Sequence, residues 1–512
     1  MAINDLKAAK SVRFFVYRSG KPPIDEQKFP LVALFRDNWD DYSYKTLFIA
    51  HLYVSAEESI RLGPVKIAID EKAYRPEYPA GYDKLPESAF SLGQSVSYYR
   101  ALRRLPPRFR RMLLRAMGDL VAFPKLFEKR KDSDVVQTSL LRSGSARHAL
   151  RRGGYYIGSK TEEVEPPRFR LRMKVPGAAG PHVVDIDQTA PDGVPRRVTL
   201  LIGKNGTGKT TTLATLAYAL SPGPSVFQAD SLQGVVTSAK IEPLEAGSND
   251  PQAAISQIIA VTYNAFDDFP LPHAQAASLG TYRSRLTYKY CGLRNMDGDL
   301  DTGQIPTMWG KALEPIEENE RTDILHANLA KFLGEELATV LSTGDESSRR
   351  QCFRKLSAGQ RILVSIFADI IATIEEGSLL LIDEPETHLH PGLLSSAFLA
   401  LVELLNEFDS HAIISTHSPI LLQNIPAKFV RIFKRIDGKP VISEPRFETF
   451  GEDLGELYRD LFGLSDLERD YTSVLQDLLD EHGSVSAVEA LFGAGLGLAA
   501  KAFLISQEQE SF

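Results

Sequence analysis

The sequence predicts an α/β fold built round a buried parallel sheet, and three observations carry that prediction. Three unbroken runs, Val198–Ile202, Ser378–Ile382 and Ala412–Thr416, have the length and apolar continuity of strands covered on both faces. Each run ends in chemically able residues: a glycine-rich loop, then Asp383-Glu384, then His417-Ser418-Pro419. From about residue 165 onward strand, loop and helix patterns alternate, as α/β domains require.

Composition bounds the rest. The chain has 512 residues, 43% hydrophobic and 24% charged, enough core material for two to four domains. A formal net charge of −7 excludes a globally basic nucleic-acid coat but not a local basic face. Two cysteines, Cys291 and Cys352, are too few for a disulfide framework or a zinc cluster, and fit a reducing cytoplasm. Met1–Phe15 lacks a signal-peptide core, and no run of eighteen apolar residues occurs, so no membrane span is expected. The Gly/Ala/Leu-rich stretch Ala490–Ile505, interrupted by Lys501, reads as a packed or partner-docking helix.

Along the chain, Val12–Tyr17, Leu31–Phe35, Thr46–Val54 and Val65–Ile69 are rich in aromatic and β-branched residues and read as strands, with turns at Ser19–Pro23 and Asp37–Asp41. A helical stretch follows over Ser95–Val121. Twenty Lys/Arg stand against seven Asp/Glu between Tyr99 and Lys174, densest at Arg103, Arg104, Arg108, Arg110, Arg111 and Arg115. A solvated helix face and a phosphate-binding patch for DNA are both open readings of it. Residues 448 to 489 reverse the balance, with mostly Asp and Glu.

After Val198–Ile202 comes Gly203-Lys204-Asn205-Gly206-Thr207-Gly208-Lys209-Thr210, the full G-x-x-x-x-G-K-[ST] pattern, then a helix from Thr211 to Leu220. The glycines let the backbone curl so that successive N–H groups point at phosphate oxygens, and the helix start adds its positive end. Lys209 would reach the β and γ phosphates, and the Thr210 hydroxyl would bind Mg²⁺. A merely structural glycine-rich turn does not need the Lys-Thr pair. At the second run, Asp383 would hold Mg²⁺, and Glu384 would act as general base toward the attacking water. His388 and His390 beside Glu386 are weak as a metal site, with no third ligand nearby.

Leu356-Ser357-Ala358-Gly359-Gln360 opens an apolar helix, Arg361–Ile374, about twenty residues before the acidic strand. It resembles the LSGGQ signature of ATP-binding-cassette (ABC) ATPases, with Ala358 for one glycine. That resemblance implies that Ser357, Gly359 and Gln360 face the γ-phosphate held by a second protomer, so that two heads sandwich two ATP molecules. It also implies that His417 is the family's switch histidine, in contact with the γ-phosphate. The family's Gln loop has no glutamine here; Asn264, after the strand Ile258–Tyr263, is the candidate.

The segment Glu386-Thr387-His388-Leu389-His390-Pro391 departs from transporter subunits. It resembles RecF-like and OLD-family ATPases and those of bacterial anti-phage systems such as PtuA of Septu and retron operons. The resemblance covers roughly 165 to 465, including Tyr288–Arg294 and Thr449–Gly463. About 150 residues separate phosphate loop and signature without heptads, only an amphipathic helix near Ile324–Leu341, so no SMC-type arm is expected. About ninety residues follow His417 without a DxD-type cluster, so no Toprim nuclease is expected.

The expected organisation is an α+β N-terminal region over 1–160, an ABC-type core over 165–450 with a helical insertion at about 270–350, and a helical tail over 451–512. The resemblance implies an ATP-hydrolysing homodimeric switch, the regulator of an anti-phage defence system with a separate effector, plausibly a nuclease. The alternatives are a RecF-like repair or DNA-clamping ATPase using Arg103–Arg115, a regulatory ATPase without DNA, and a transporter head.

Overall fold

The computed structural model of the chain describes residues 6–7, 9–17, 29–37, 41, 44–69, 86, 88–158, 166–175, 177–191, 193–221, 236, 238–244, 255–262, 269–271, 287–292, 294, 305–319, 321–387, 389–457 and 470–510. They fall into two compact units, Met1–Gly451 and Glu452–Phe512.

The first unit opens with strands β1 (Arg13–Tyr17), β2 (Leu31–Arg36), β3 (Leu47–Tyr53), β4 (Ser59–Ala68) and β5 (Phe90–Gly93), which pair in chain order. β1 runs parallel to β2 and the other pairs are antiparallel. Alternate residues of β3 point inward, so Phe48, Ala50 and Leu52 join Phe14, Phe90, Tyr98 and Tyr99 in one core. Each such large apolar side chain contributes about 1.5–3 kcal/mol on burial. Helices α1 (Val96–Arg103), α2 (Pro107–Met117), α3 (Pro124–Arg130) and α4 (Gly144–Ile157) complete this layer, with one π-helical turn at Val136–Leu140. Proline at its first turn starts α2, and Gly118, at a left-handed φ of 60°, ends it.

The chemistry-bearing part follows: β6 (Arg168–Met173), β7 (His182–Asp187), β8 (Val198–Gly203), α5 (Lys209–Leu220), β9 (Lys240–Glu242), β10 (Gln257–Thr262) and β11 (Thr287–Gly292). Then come α6 (Ile305–Glu318), α7 (Thr322–Leu333), α8 (Glu335–Thr343), α9 (Glu346–Lys355), α10 (Ala358–Thr373), β12 (Ser378–Asp383), α11 (Pro391–Glu407) and β13 (His411–Thr416). The unit closes with α12 (Pro419–Leu422), β14 (Val430–Ile436) and β15 (Lys439–Ser443). The main sheet has the order β11-β10-β12-β13-β8-β14-β15, parallel except for β15. Every residue of β8, β10, β12 and β13 is buried, as helices on both faces of a parallel sheet demand. A small antiparallel sheet, β7-β6-β9, packs beside it through Phe169, Leu171, Val184 and Ile186.

Three differences from the sequence expectation have local causes. The stretch expected to be a helical insertion from about 270 contains β11, which joins the main sheet beside β10; described helix begins only at Ile305. Tyr288 and Cys291, on opposite faces of the strand, are both buried, so six residues of strand are set by the neighbour they pair with. The amphipathic helix near Ile324–Leu341 is two helices, broken at Gly334, whose φ of 87° an L side chain resists. In the second unit, α13 (Asp470–His482), α14 (Val485–Ala490) and α15 (Leu498–Glu510) pack through Leu475, Leu479, Val488 and Leu504. The helix expected over Ala490–Ile505 is interrupted before Leu498 by a turn with Gly495 at φ 74°. Among the described residues no helix is long and apolar enough to cross a membrane.

One ion pair and one hydrogen bond to a backbone carbonyl join the N-terminal layer to the main-sheet part. Arg152 of α4 pairs with Asp409, which also accepts from Arg197 at 2.8 Å. Arg100 of α1 donates to the Glu407 carbonyl at 2.6 Å.

Candidate active site

Strand register assembles the site. Along the sheet Asp383 lies opposite Ser415, Thr416 opposite Ile202, and Phe433 opposite Gly203, so the carboxyl ends of β12, β13, β8 and β14 come level. In such sheets ligands bind at that edge.

The loop from Gly203 to Gly208 wraps the start of α5. Gly206 and Gly208 have φ values of 75° and 97°, in the left-handed region. A Cβ on Gly203 would stand 2.2 Å from the Phe433 carbonyl oxygen, so only glycine fits where β14 passes. Thr207 Oγ1 donates to the Lys204 carbonyl at 2.8 Å and tightens the loop. Lys204 and Asn205 are exposed at its tip, and Thr211 is half-buried in the first turn of α5. Lys209 is 5% exposed; its Nζ donates to the Gly203 carbonyl at 2.9 Å and lies 2.9 Å from His417 Nε2. Burial pulls the Lys209 pKa below its ordinary value, against the opposing charges of Glu384, Asp383 and Glu386.

Thr210 Oγ1 lies 3.0 and 3.1 Å from the two Asp383 carboxylate oxygens. The Ser415 hydroxyl also donates to Asp383. Burial pushes the Asp383 carboxyl up to about 6, although both hydroxyl donors and Lys209 favour the ionised form. Two hard oxygen ligands, one of them a carboxylate short of positive charge, fit Mg²⁺.

Glu384 has a φ of 44°, and its backbone N–H donates to the Ser415 carbonyl at 3.1 Å. Its Oε1 lies 3.3 Å from His417 Nε2. That contact, as a hydrogen bond, holds the Glu384 carboxyl below the usual range. One ring nitrogen thus faces an ammonium and a carboxylate: unprotonated, His417 Nε2 accepts from Lys209, and protonated, it donates to Glu384.

The structure brings Lys209, Thr210, Asp383, Glu384 and His417 together. Ser357, Gly359 and Gln360 make none of those contacts. They start α10, where Ser357 Oγ accepts from the Gln360 N–H at 3.3 Å and Gln360 Oε1 accepts from the Ser357 N–H at 2.9 Å. This reciprocal cap leaves Ser357 exposed at a helix N-terminus. His390 Nδ1 accepts from the Gly392 N–H at 3.2 Å and caps α11, which is its structural use. Asn264 and His388 lie outside the described residues. The spacing of motifs did not point to Ser415 or His182, and it marked Glu386 only as a neighbour of His388 and His390. His182 Nε2 lies 3.2 Å from the Thr207 carbonyl oxygen and backs the loop from the small sheet. The available signal was a polar residue closing an apolar strand, as Ser415 does.

A parallel sheet that sends a phosphate loop from one strand and a carboxylate pair from the next strand but one is the fold of P-loop ATPases. The capped helix α10 opens on the signature-like segment and so resembles the corresponding element of ABC ATPases. Residues 296–423 match the family described as "AAA domain, putative AbiEii toxin, Type IV TA system", a span that holds Ser357, Asp383, Glu384 and His417. Protein ea59 of Escherichia phage lambda is 27% identical over 94% of this chain and 95% of its own length. The lipoprotein-releasing system ATP-binding protein LolD of Buchnera aphidicola is 30% identical over 22% of this chain and half of its own length. Among solved structures, the ADP conformation of an ATP-binding cassette of an ABC transporter covers 59% of this chain and 97% of its own at 14% identity, with a TM-score of 0.30.

Proposed function

We propose that the protein is an ATP-hydrolysing switch in which two copies close on bound nucleotide, serving as the sensor or regulator of a defence system with a separate effector. The observation that carries it is the meeting of Lys209, Thr210, Asp383, Glu384 and His417 at one sheet edge. In this reading the amides of Gly206–Thr211 and the Lys209 ammonium hold the β and γ phosphates. Thr210 and Asp383 would hold Mg²⁺, which supplies charge neutralisation at those phosphates. Glu384, ionised, takes the proton of the attacking water, and His417 orients beside it. Ser357, Gly359 and Gln360 present an exposed helix start to the nucleotide of a second copy, giving ATP different contacts in open and closed pairs.

The defence assignment is supported by the toxin–antitoxin description of the matched family and by a phage-encoded relative of near-equal span. The DNA-clamping reading has its own support. Arg103, Arg104, Arg108, Arg111 and Arg115 are exposed on α1, α2 and the link between them. The Arg110 pKa is lowered by burial and then by its neighbours Arg111 and Arg103. Such like-charge crowding is relieved by a bound phosphate backbone.

The test is mass by light scattering of full-length Glu384→Gln with and without ATP and Mg²⁺, beside phosphate release by the parent. A nucleotide-dependent rise to a dimer is expected, with turnover slowed about 10²–10⁴-fold. A monomer under both conditions would overturn the sandwich, and parent-like turnover would remove Glu384 as base.

A further inference from the structure

We propose that Glu386 is a positioning residue for the reaction: it fixes His417 by binding the loop after β13 to the turn after β12. The inference rests on the ATPase reading of the site above. Glu386 Oε1 accepts from the Thr416 hydroxyl at 2.9 Å and from the His417 backbone N–H at 2.5 Å. Thr416 Oγ1 in turn accepts from the Ser418 N–H at 2.9 Å. One carboxylate oxygen therefore sets three successive residues of the histidine loop.

The same turn carries Glu384. The Thr387 N–H donates to the Glu384 carbonyl at 3.1 Å, and the Glu384 N–H donates across to Ser415. The two loops are laced at both ends, one residue before and one residue after the histidine's immediate strand end. The imidazole has to stand between Lys209 and Glu384, so its backbone position decides both contacts. A displacement of about 1 Å at a reacting group costs on the order of 10²-fold in rate.

Stability alone is a poor explanation of this carboxylate. Its second oxygen, Oε2, is buried and has no hydrogen-bond partner among the described residues. Burial accordingly pushes the Glu386 pKa up, against the donors on Oε1. A buried acceptor left unsatisfied is a cost that a purely structural position avoids. A clamp in which the one oxygen Oε1 accepts from both Thr416 and His417 is what that cost supports.

The experiment compares full-length parent, Glu386→Ala, Glu386→Gln, Thr416→Val, His417→Ala and the double variant Glu386→Ala/His417→Ala. It reads kcat and KM for ATP, binding of a fluorescent ATP analogue, and thermal melting. Glu386→Ala should lower kcat about 10- to 100-fold with analogue binding held within about threefold. Glu386→Gln keeps an oxygen to accept the same two bonds and should stay within about threefold of the parent in kcat. The double variant should turn over no more slowly than His417→Ala. If the two losses multiply instead, Glu386 does not act through His417 and the proposal is overturned. A Glu386→Gln as slow as Glu386→Ala also overturns it. Should Glu386→Ala fail to fold, Thr416→Val reads the same link, and full activity there sinks the clamp. Full activity of His417→Ala is a different failure: it removes the histidine's role, and the proposal with it, while a parent without ATP turnover refutes the site reading itself.

Discussion

Gly208→Ala tests whether the handedness of the phosphate loop is what binds nucleotide. Gly208 has φ 97° and ψ 18° at the cap of α5. An L side chain in that region costs about 1–2 kcal/mol in the backbone. The added Cβ would also lie 3.0 Å from His182 Nε2 and 3.5 Å from its Cδ2. His182 is 1% exposed and its ring faces the Thr207 carbonyl, so it cannot swing into solvent. Loop and ring must separate by a few tenths of an ångström, for roughly another 1 kcal/mol. The sum, about 2–3 kcal/mol, corresponds to about 30- to 150-fold weaker binding if it falls on the binding conformation. The assay is titration of a fluorescent ATP analogue with Mg²⁺, with thermal melting alongside. His182→Ala in the same chain should recover the steric part and leave about a tenfold loss from the backbone. Affinity within twofold of the parent, with an unchanged melt, would refute the argument that these left-handed glycines shape the cradle.

Two further predictions concern the junction beneath the sheet. Asp409, at φ 47°, pairs with Arg152 and with Arg197. Asp409→Gly keeps the backbone and removes both pairs, so it should cost about 2–4 kcal/mol; Asp409→Ala should cost about 1 kcal/mol more for the left-handed φ. Urea unfolding measures both, and a glycine variant as stable as the parent would show the ion pairs to be idle. Glu376 is 4% exposed, and burial, then Glu375, pushes its carboxyl up to about 7 from 4.5. The folded pKa is raised, so this stabilisation is fully present below about 4.5 and is lost as pH rises through about 7, up to about 3 kcal/mol. Glu376→Gln should therefore match the parent near pH 5 and exceed it near pH 8 in urea midpoint. Parallel curves at both pH values would contradict the buried-carboxylate account.

Spacing along the chain dictates the parts of this site that lie on one loop. Lys209 and Thr210 follow the glycines directly, and Asp383-Glu384 follow their own strand, so local sequence carries both. The N-terminal strands are legible for a similar reason: short aromatic and β-branched runs fit a half-buried pleat wherever they pair. β11 is less legible, because six residues around two tyrosines become strand only beside β10.

Tertiary structure decides which groups meet. Register along the sheet puts Asp383 opposite Ser415 and brings His417 between Lys209 and Glu384. Glu386 reaches Thr416 thirty residues away, and His182 reaches Thr207 across twenty-five. Neither distance is encoded by a local pattern. Even at Ser357 and Gln360 the hydrogen bonds visible within the chain close a helix cap. The type of chemistry follows from residues that the backbone holds as neighbours. The orientation of the histidine, the protonation of the buried acids and the tie from the N-terminal layer to Asp409 follow from burial and pairing, which exist only once separate strands and helices have packed.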